Sequence, residues 1–364
     1  ATYKAEFLSH YYEGKRRPRT AYSMGLIHWW AKLAALAPSL ANFATHAPLL
    51  NLAAKQVAGI ARQRQAPAFA PRTFRSWFEG NLTPGPSPAR RGELGRRRSS
   101  RISAGATDTA GAGNRLGRRG SPLRAGEGPG VRFPPRVILW PDTFTNHFHP
   151  ETGQAAVEVL EAAGFAVELP PAGLCCGRPL YDFGMLDAAK RLLREILEAL
   201  RPDIRAGVPI VGLEPSCVSV FRDELGNLFP HDEDARRLKG QVYLLSEFLA
   251  REAPDFAPPQ LQRKALVHGH CHHKAVLGMG AEETMLRKLG LDVNILDAGC
   301  CGMAGAFGFE REHYDVSIQC GERALLPAVR SADKDTLIVA DGFSCREQIA
   351  QTTDRRALHP AQVL

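Results

Sequence analysis

VILWPDTF at residues 137–144 and ALVHGHCH at 265–272 open two copies of one pattern. The first runs on through AAVEVLEAAGF (155–165), AVELP (166–170) and LCCGRPLYDFG (174–184). The second runs through EETMLRKLGL (282–291), DVNIL (292–296) and AGCCGMAGAFGF (298–309). A long amphipathic helix follows in each. Then come an apolar strand ending in cysteine, VPIVGLEPSC (208–217) or TLIVADGFSC (336–345), and another helix. Strands alternating with helices of ten or more residues predict an α/β fold with mainly parallel sheets. A repeat of this length is a duplicated domain, not a solenoid unit.

The cysteines follow the duplication. Cys175 and Cys176 precede Cys217 in the first copy; Cys300 and Cys301 precede Cys345 in the second. The second copy adds Cys271, where the first has Thr143. Adjacent cysteines resist pairing with each other, because the bridged ring is strained. Their thiolates can point at one inorganic group. Repeated cysteine groups of this kind are expected to serve metal or redox chemistry over structural disulfides. In both copies they fall where strands end, which is where open α/β sheets bind ligands. Cys320, on the helix SIQCGERALL, reads as a buried packing residue.

LCCGRPLYDFGML, LEPSCVSVFRDEL, GCCGMAGAFGFE and WPDTFTNHFHPE carry a family resemblance. Tandem CCG with a further cysteine resembles the cysteine-rich (CCG) domain of heterodisulfide reductase. It is more similar to the iron–sulfur part of glycolate oxidase, anaerobic glycerol-3-phosphate dehydrogenase and FAD-linked D-2-hydroxy-acid dehydrogenases. Residues 136–364 carry the resemblance, and ATYKAEFLSHYYEG extends it into 1–78. It implies the C-terminal part of a longer polypeptide, with the FAD domain and ferredoxin-like clusters upstream. The implied function is electron transfer from flavin, which oxidises glycolate, D-lactate or D-2-hydroxyglutarate, to a quinone or other acceptor. The fragment alone is not expected to turn over a hydroxy acid.

The heterodisulfide-reductase type ends each copy in CxxC, but Glu214 and Gly342 stand at the first of those positions here. Four thiols remain in copy two, enough for a [4Fe–4S] cube: Cys271, Cys300, Cys301 and Cys345. Cys175, Cys176 and Cys217 form either a vestigial scaffold or a source of one ligand or of surrounding groups. The expected domains are a helical segment (1–78), an insert (79–135), and two CCG domains (136–260 and 261–364).

His268, His270, His272 and His273 flank Cys271. Alternate residues of a strand share a face, so His268, His270 and His272 are expected to point together. A Cys/His zinc site is therefore an alternative, although no CxxC knuckle precedes it. Heterodisulfide-type thiol chemistry is another. As a third role, the histidines could donate hydrogen bonds to cluster sulfurs. Gly177, Gly299, Gly302, Gly305 and Gly308 are expected to let the backbone approach the bound group. Asp142, Asp297 and Arg178 read as capping or solvated residues.

The chain's 364 residues allow two or three domains, and the net charge is +8. Residues 81–132 hold eleven arginines, no lysine and three acids, which accounts for the whole +8. Eleven of the 34 glycines and no aromatic residue fall there, so disorder is expected. LTPGPSPARRGE (82–93) can be encoded so that its complementary strand reads SPRLAGEGPGVR; SPLRAGEGPGVR stands at 121–132. An inverted DNA repeat inserted in frame explains the match, and no nucleic-acid partner is expected. The first 78 residues read as helices, with Trp29, Trp30, Leu33 and Leu36 forming an apolar stripe interrupted by His28 and Lys32. That stripe is too short to span a bilayer. It would serve packing or docking to a membrane or quinone partner, and the expected location is cytoplasmic, at the inner membrane face.

Overall fold

A computed structural model describes residues 2–81 and 134–364. The insert expected over 79–135 lies outside the described residues, except at its two ends. Seven strands carry the architecture: β1 (Arg136–Trp140), β2 (Ala166–Glu168), β3 (Ile210–Gly212), β4 (Val242–Leu244), β5 (Lys264–Val267), β6 (Asp292–Ile295) and β7 (Leu337–Val339). They form two sheets, ordered β2-β1-β3-β4 and β6-β5-β7. Every pairing in both sheets is parallel. The α/β expectation and the duplication are both met, with β4 as an additional edge strand of the first copy.

Strand registers align the two copies. Trp140 pairs with Gly212, five residues before Cys217. Val267 pairs with Val339, so extending that ladder by one residue brings His268 to Ala340, five residues before Cys345. The backbone N–H of His268 donates to Val339 O at 2.9 Å, continuing the sheet. His268 therefore stands where copy one has Trp140. Side chains alternate between the faces of a strand. Leu266 packs with Cys301 and Cys345 on one face, while Ala265 and Val267 pack with Leu286 and Val293 on the other. In copy one, Ile138 and Trp140 share a face with Cys176 and Cys217. Leu193, Ile196 and Leu197 of the helix Leu186–Ala199 cover that face. Their spacing follows the helical period, which is why this segment folds as one amphipathic helix.

The N-terminal helices lie against both copies. His28 is buried, with Nε2 3.0 Å from Gly173 O and Nδ1 3.3 Å from Thr143 Oγ1. A carbonyl only accepts, so Nε2 donates to Gly173 and Nδ1 accepts from the Thr143 hydroxyl. Lys32 also donates to Gly173 O, at 3.0 Å. The two residues that interrupt the apolar stripe thus dock the segment onto the turn before Cys175. Farther along, Ile60 bridges to Glu310, and Arg64 Nε donates to Gly308 O at 2.7 Å. Trp29, Trp30, Leu33 and Leu36 face outward, with exposures from 41% to 82%. Among the described residues, no helix is long and apolar enough to cross a membrane.

Candidate metal centre

Three loops of copy two bring its cysteines together. Cys271 follows the end of β5, Cys300 and Cys301 follow β6, and Cys345 lies in the first turn of the helix Phe343–Thr352 after β7. Their thiols form a continuous series: Cys271 contacts Cys300, Cys300 contacts Cys301, and Cys301 contacts Cys345. Contact with the Cys271 and Cys301 thiols holds Cys300 well below the ordinary thiol range. The Cys301 thiol, and then His268 against the cost of burial, bring Cys345 down to about 5. Cys271 and Cys301 are pushed up by their neighbouring thiols and by burial. Thiolates are the metal-binding form, so a shared cation would bring Cys271 and Cys301 down as well.

Glycine shapes the turn. Gly302 has φ +97°, and its N–H donates to Cys300 Sγ at 3.3 Å. A Cβ at Gly302 would lie 2.0 Å from Ser317 O, so no larger residue fits. Copy one repeats the device: Gly177, at φ +75°, donates to Cys175 Sγ at 3.5 Å. Gly299 meets no such constraint, because a Cβ there has open space. Gly342 explains the missing thiol of the CxxC pattern: a Cβ at that position would lie 2.4 Å from the His270 ring.

The histidines do not share one face as a strand would place them. β5 ends at Val267, and the chain turns helical from Cys271. His270 and His272 stack on each other with ring centroids 5.2 Å apart. His273 Nδ1 bonds the Asp341 carboxylate at 2.5 Å, with Glu282 at 3.7 Å. His268 alone joins the thiols: it lies with Cys301 and Cys345 in a buried group whose ligand atoms are all within 4.8 Å of one another. It is 1% exposed, and apart from the neighbouring Cys345 thiol neither ring nitrogen has a partner.

Copy one brings its cysteines together differently. Cys176 Sγ and Cys217 Sγ are 2.9 Å apart, and Cys175 contacts Cys176. All three thiols are buried and pushed up, Cys217 to about 11. Trp140 fills the space where copy two has His268, and meets Phe221 edge to face at 5.1 Å. Asp142 caps the helix Thr143–His147, accepting from the Phe144 and Thr145 amides, as its sequence context predicts. Asp297 is exposed. Arg178 departs from the solvated role: its guanidinium is buried and pairs with Glu224 at 2.7 Å and Asp182 at 3.7 Å. Cys320 is half-buried on the helix Tyr314–Glu322, a place for packing.

A family model for the cysteine-rich domain CCG matches residues 143–222 and 268–350. Both copies are cysteine-rich CCG domains. The chain is 29% identical over 239 residues to an anaerobic glycerol-3-phosphate dehydrogenase subunit from Escherichia coli K12, covering 64% of this chain and 59% of that protein. It is 30% identical over 233 residues to D-2-hydroxyglutarate dehydrogenase of Pseudomonas putida, covering 63% and 22%. Lactate utilization protein A of Bacillus velezensis is 29% identical over 248 residues, covering 63% and 98%. The chain thus spans about three-fifths of the first relative and about a fifth of the second. These relatives are named as a dehydrogenase subunit, a dehydrogenase and a lactate utilization protein.

Two buried residues near the thiols carry no signal in the sequence. Glu214 stands at a position that sequence marked only as a lost cysteine. Arg64 is 1% exposed, and its Nη1 has no hydrogen-bond partner. Nothing in the pattern around Arg64 distinguishes it from the exposed arginines of the same segment.

Proposed function

We propose that this chain is the iron–sulfur electron-transfer part of an FAD-dependent dehydrogenase of the 2-hydroxy-acid type, acting on glycolate, D-lactate or D-2-hydroxyglutarate. The observation that carries the proposal is the thiol series of copy two, with the buried His268 ring grouped with two of its sulfurs. Cys271, Cys300, Cys301 and Cys345 would hold a [4Fe–4S] cluster, which takes four thiolates and changes charge by one electron. Such a group is anionic. Its surroundings fit that charge: His268 groups with two of the thiols, and the buried Arg64 guanidinium, whose Nη1 lacks a partner, lies near Cys301. Gly302 directs an amide at one ligand sulfur. A buried nitrogen left unpaired is costly, so these groups are expected to face something that accepts from them.

Cys271 and Cys300 are only half-buried and line a cavity of about 390 Å³. Phe144, Phe148, Phe309 and Phe343 make much of its wall. That opening is where a quinone or another electron acceptor would approach. The flavin and the ferredoxin-like clusters would belong to a partner protein or domain, in keeping with relatives named as dehydrogenases or their subunits. Copy one would hold no cluster, because Trp140 occupies the space beside Cys176 and Cys217.

Anaerobic loading of the full chain tests this reading. It predicts about four irons and four sulfides per chain, and a one-electron reduction. A second reading, zinc held by His268, Cys301 and Cys345, draws on their 4.8 Å grouping. Stoichiometric zinc without sulfide would establish that alternative, since zinc has no redox step.

A further inference from the structure

We propose that His268 donates a hydrogen bond to the sulfur side of the bound cluster and raises its reduction potential. The inference rests on the iron–sulfur reading of the same site and adds a residue that the four thiols do not include.

Three independent observations meet at this side chain. Strand alternation sends His268 to the face that carries Leu266, Cys301 and Cys345. Its ring lies within 4.8 Å of both sulfurs. It is 1% exposed, and apart from the neighbouring Cys345 thiol neither Nδ1 nor Nε2 has a partner. A neutral imidazole always carries one N–H donor, and the acceptors within reach of this buried ring are the sulfurs of Cys301 and Cys345. Sulfur that gains electron density on reduction is the acceptor that this position offers. A donor to that sulfur stabilises the reduced, more negative state over the oxidised one and so raises the potential.

The duplicated scaffold supplies a comparison within the molecule. At the same register copy one has Trp140, whose indole is packed into an apolar cluster with Cys176, Cys217 and Phe221. One position of one fold thus carries an indole, whose buried Nε1 also lacks a partner, in the copy with three thiols, and an imidazole with two open nitrogens in the copy with four. His270 and His272 stack on each other, and His273 is committed to Asp341. Of the four histidines, His268 is the one whose ring groups with two of the thiols.

The test is an EPR-monitored redox titration of the anaerobically loaded full chain and its His268→Phe variant. Phenylalanine keeps the ring volume and removes the donor. Iron and sulfide content should be unchanged. At a fixed potential the reduced fraction should fall about tenfold relative to the oxidised, a shift of ~59 mV for one electron. His268→Gln, which keeps a donor, should lie between the two. An unshifted potential with full iron content would overturn the proposal while leaving the iron–sulfur reading intact. Loss of iron in both variants would make His268 a ligand and also overturn it. Failure of the wild type to take up iron and sulfide defeats the underlying reading. Pulsed EPR of the reduced wild type with ¹⁵N-histidine covers variants that do not fold. Weak nitrogen coupling is expected; strong coupling means direct ligation, and its absence means no contact, and either result overturns the proposal.

Discussion

Glu214 Oε2 accepts a hydrogen bond from the Phe343 N–H at 2.8 Å, joining the two halves of the duplication. Its other oxygen accepts from Ser216 N at 3.2 Å. Phe343 begins the helix that carries Cys345, so a carboxylate of copy one satisfies a free amide at the helix start in copy two. Phe144 stacks on Phe343 with centroids 4.4 Å apart, which reinforces the same junction. Glu214→Ala should leave a buried N–H unpaired and cost about 1–3 kcal/mol in urea unfolding. Glu214→Gln should cost less, because its carbonyl oxygen still accepts. Equal losses in both variants would show that charge, not the hydrogen bond, matters there.

Ownership of the cluster is testable cysteine by cysteine. Cys300→Ser and Cys345→Ser should each abolish the broad visible absorbance of the loaded chain and its reduced-state EPR signal. Cys320→Ser should leave both. Cys217→Ser should leave both as well, because Trp140 packs beside that thiol. Loss of signal in Cys217→Ser would give copy one a ligand and refute the assignment to copy two alone.

The turn at Gly302 admits no side chain. Gly302→Ala places a methyl group 2.0 Å from Ser317 O at φ +97°. The destabilisation should exceed about 1 kcal/mol, and iron uptake should drop, as colorimetric iron analysis would show. Gly299→Ala has open space and should load normally.

The Arg178–Glu224 pair is buried on both sides. Arg178→Ala strands the Glu224 carboxylate and should cost about 3–5 kcal/mol. Adding Glu224→Leu should recover much of that loss, since it removes the stranded charge. A double-mutant cycle measured by thermal unfolding gives the coupling.

His359 contributes to acid sensitivity, as do His147 and His272, which burial also lowers. Burial lowers His359 to about 3, and its neutral ring accepts from Ala361 N while donating to Leu213 O at 3.0 Å. In the unfolded chain it titrates near its ordinary 6.5. Between those values the unfolded state binds the extra proton, so stability is full above pH 6.5 and falls as pH drops toward 3. The slope is about 1.4 kcal/mol per pH unit for this group. His359→Gln removes the titration, so its urea-unfolding curves at about pH 7 and pH 5 should differ less than those of the wild type. A gap as large as the wild type's would assign the acid sensitivity to other groups.

Much of this was legible from the chain alone. The parallel sheets, the duplication and the placement of the paired cysteines after strands follow from periodicity, because strand and helix periods are local properties. The capping by Asp142 was legible for the same reason. Contacts across long separations were not. Glu214 reads as a missing cysteine, and only the fold brings its carboxylate to Phe343. His268 reads as one of four histidines, and only the end of β5 at Val267 separates it from His270 and His272. His28 and Lys32 read as blemishes in an apolar stripe, yet they bind the Gly173 carbonyl.

The substitution of Trp140 for His268 at one register also gives the molecule a reference state of its own. Two homologous frameworks share one polypeptide, one solvent and one temperature, and among their differences are a fourth thiol, an imidazole and the edge strand β4. If copy two alone holds the proposed cluster, a spectroscopic or exchange measurement that separates the halves reads the effect of that group against the other copy. Such a built-in control has no counterpart in a chain with a single domain.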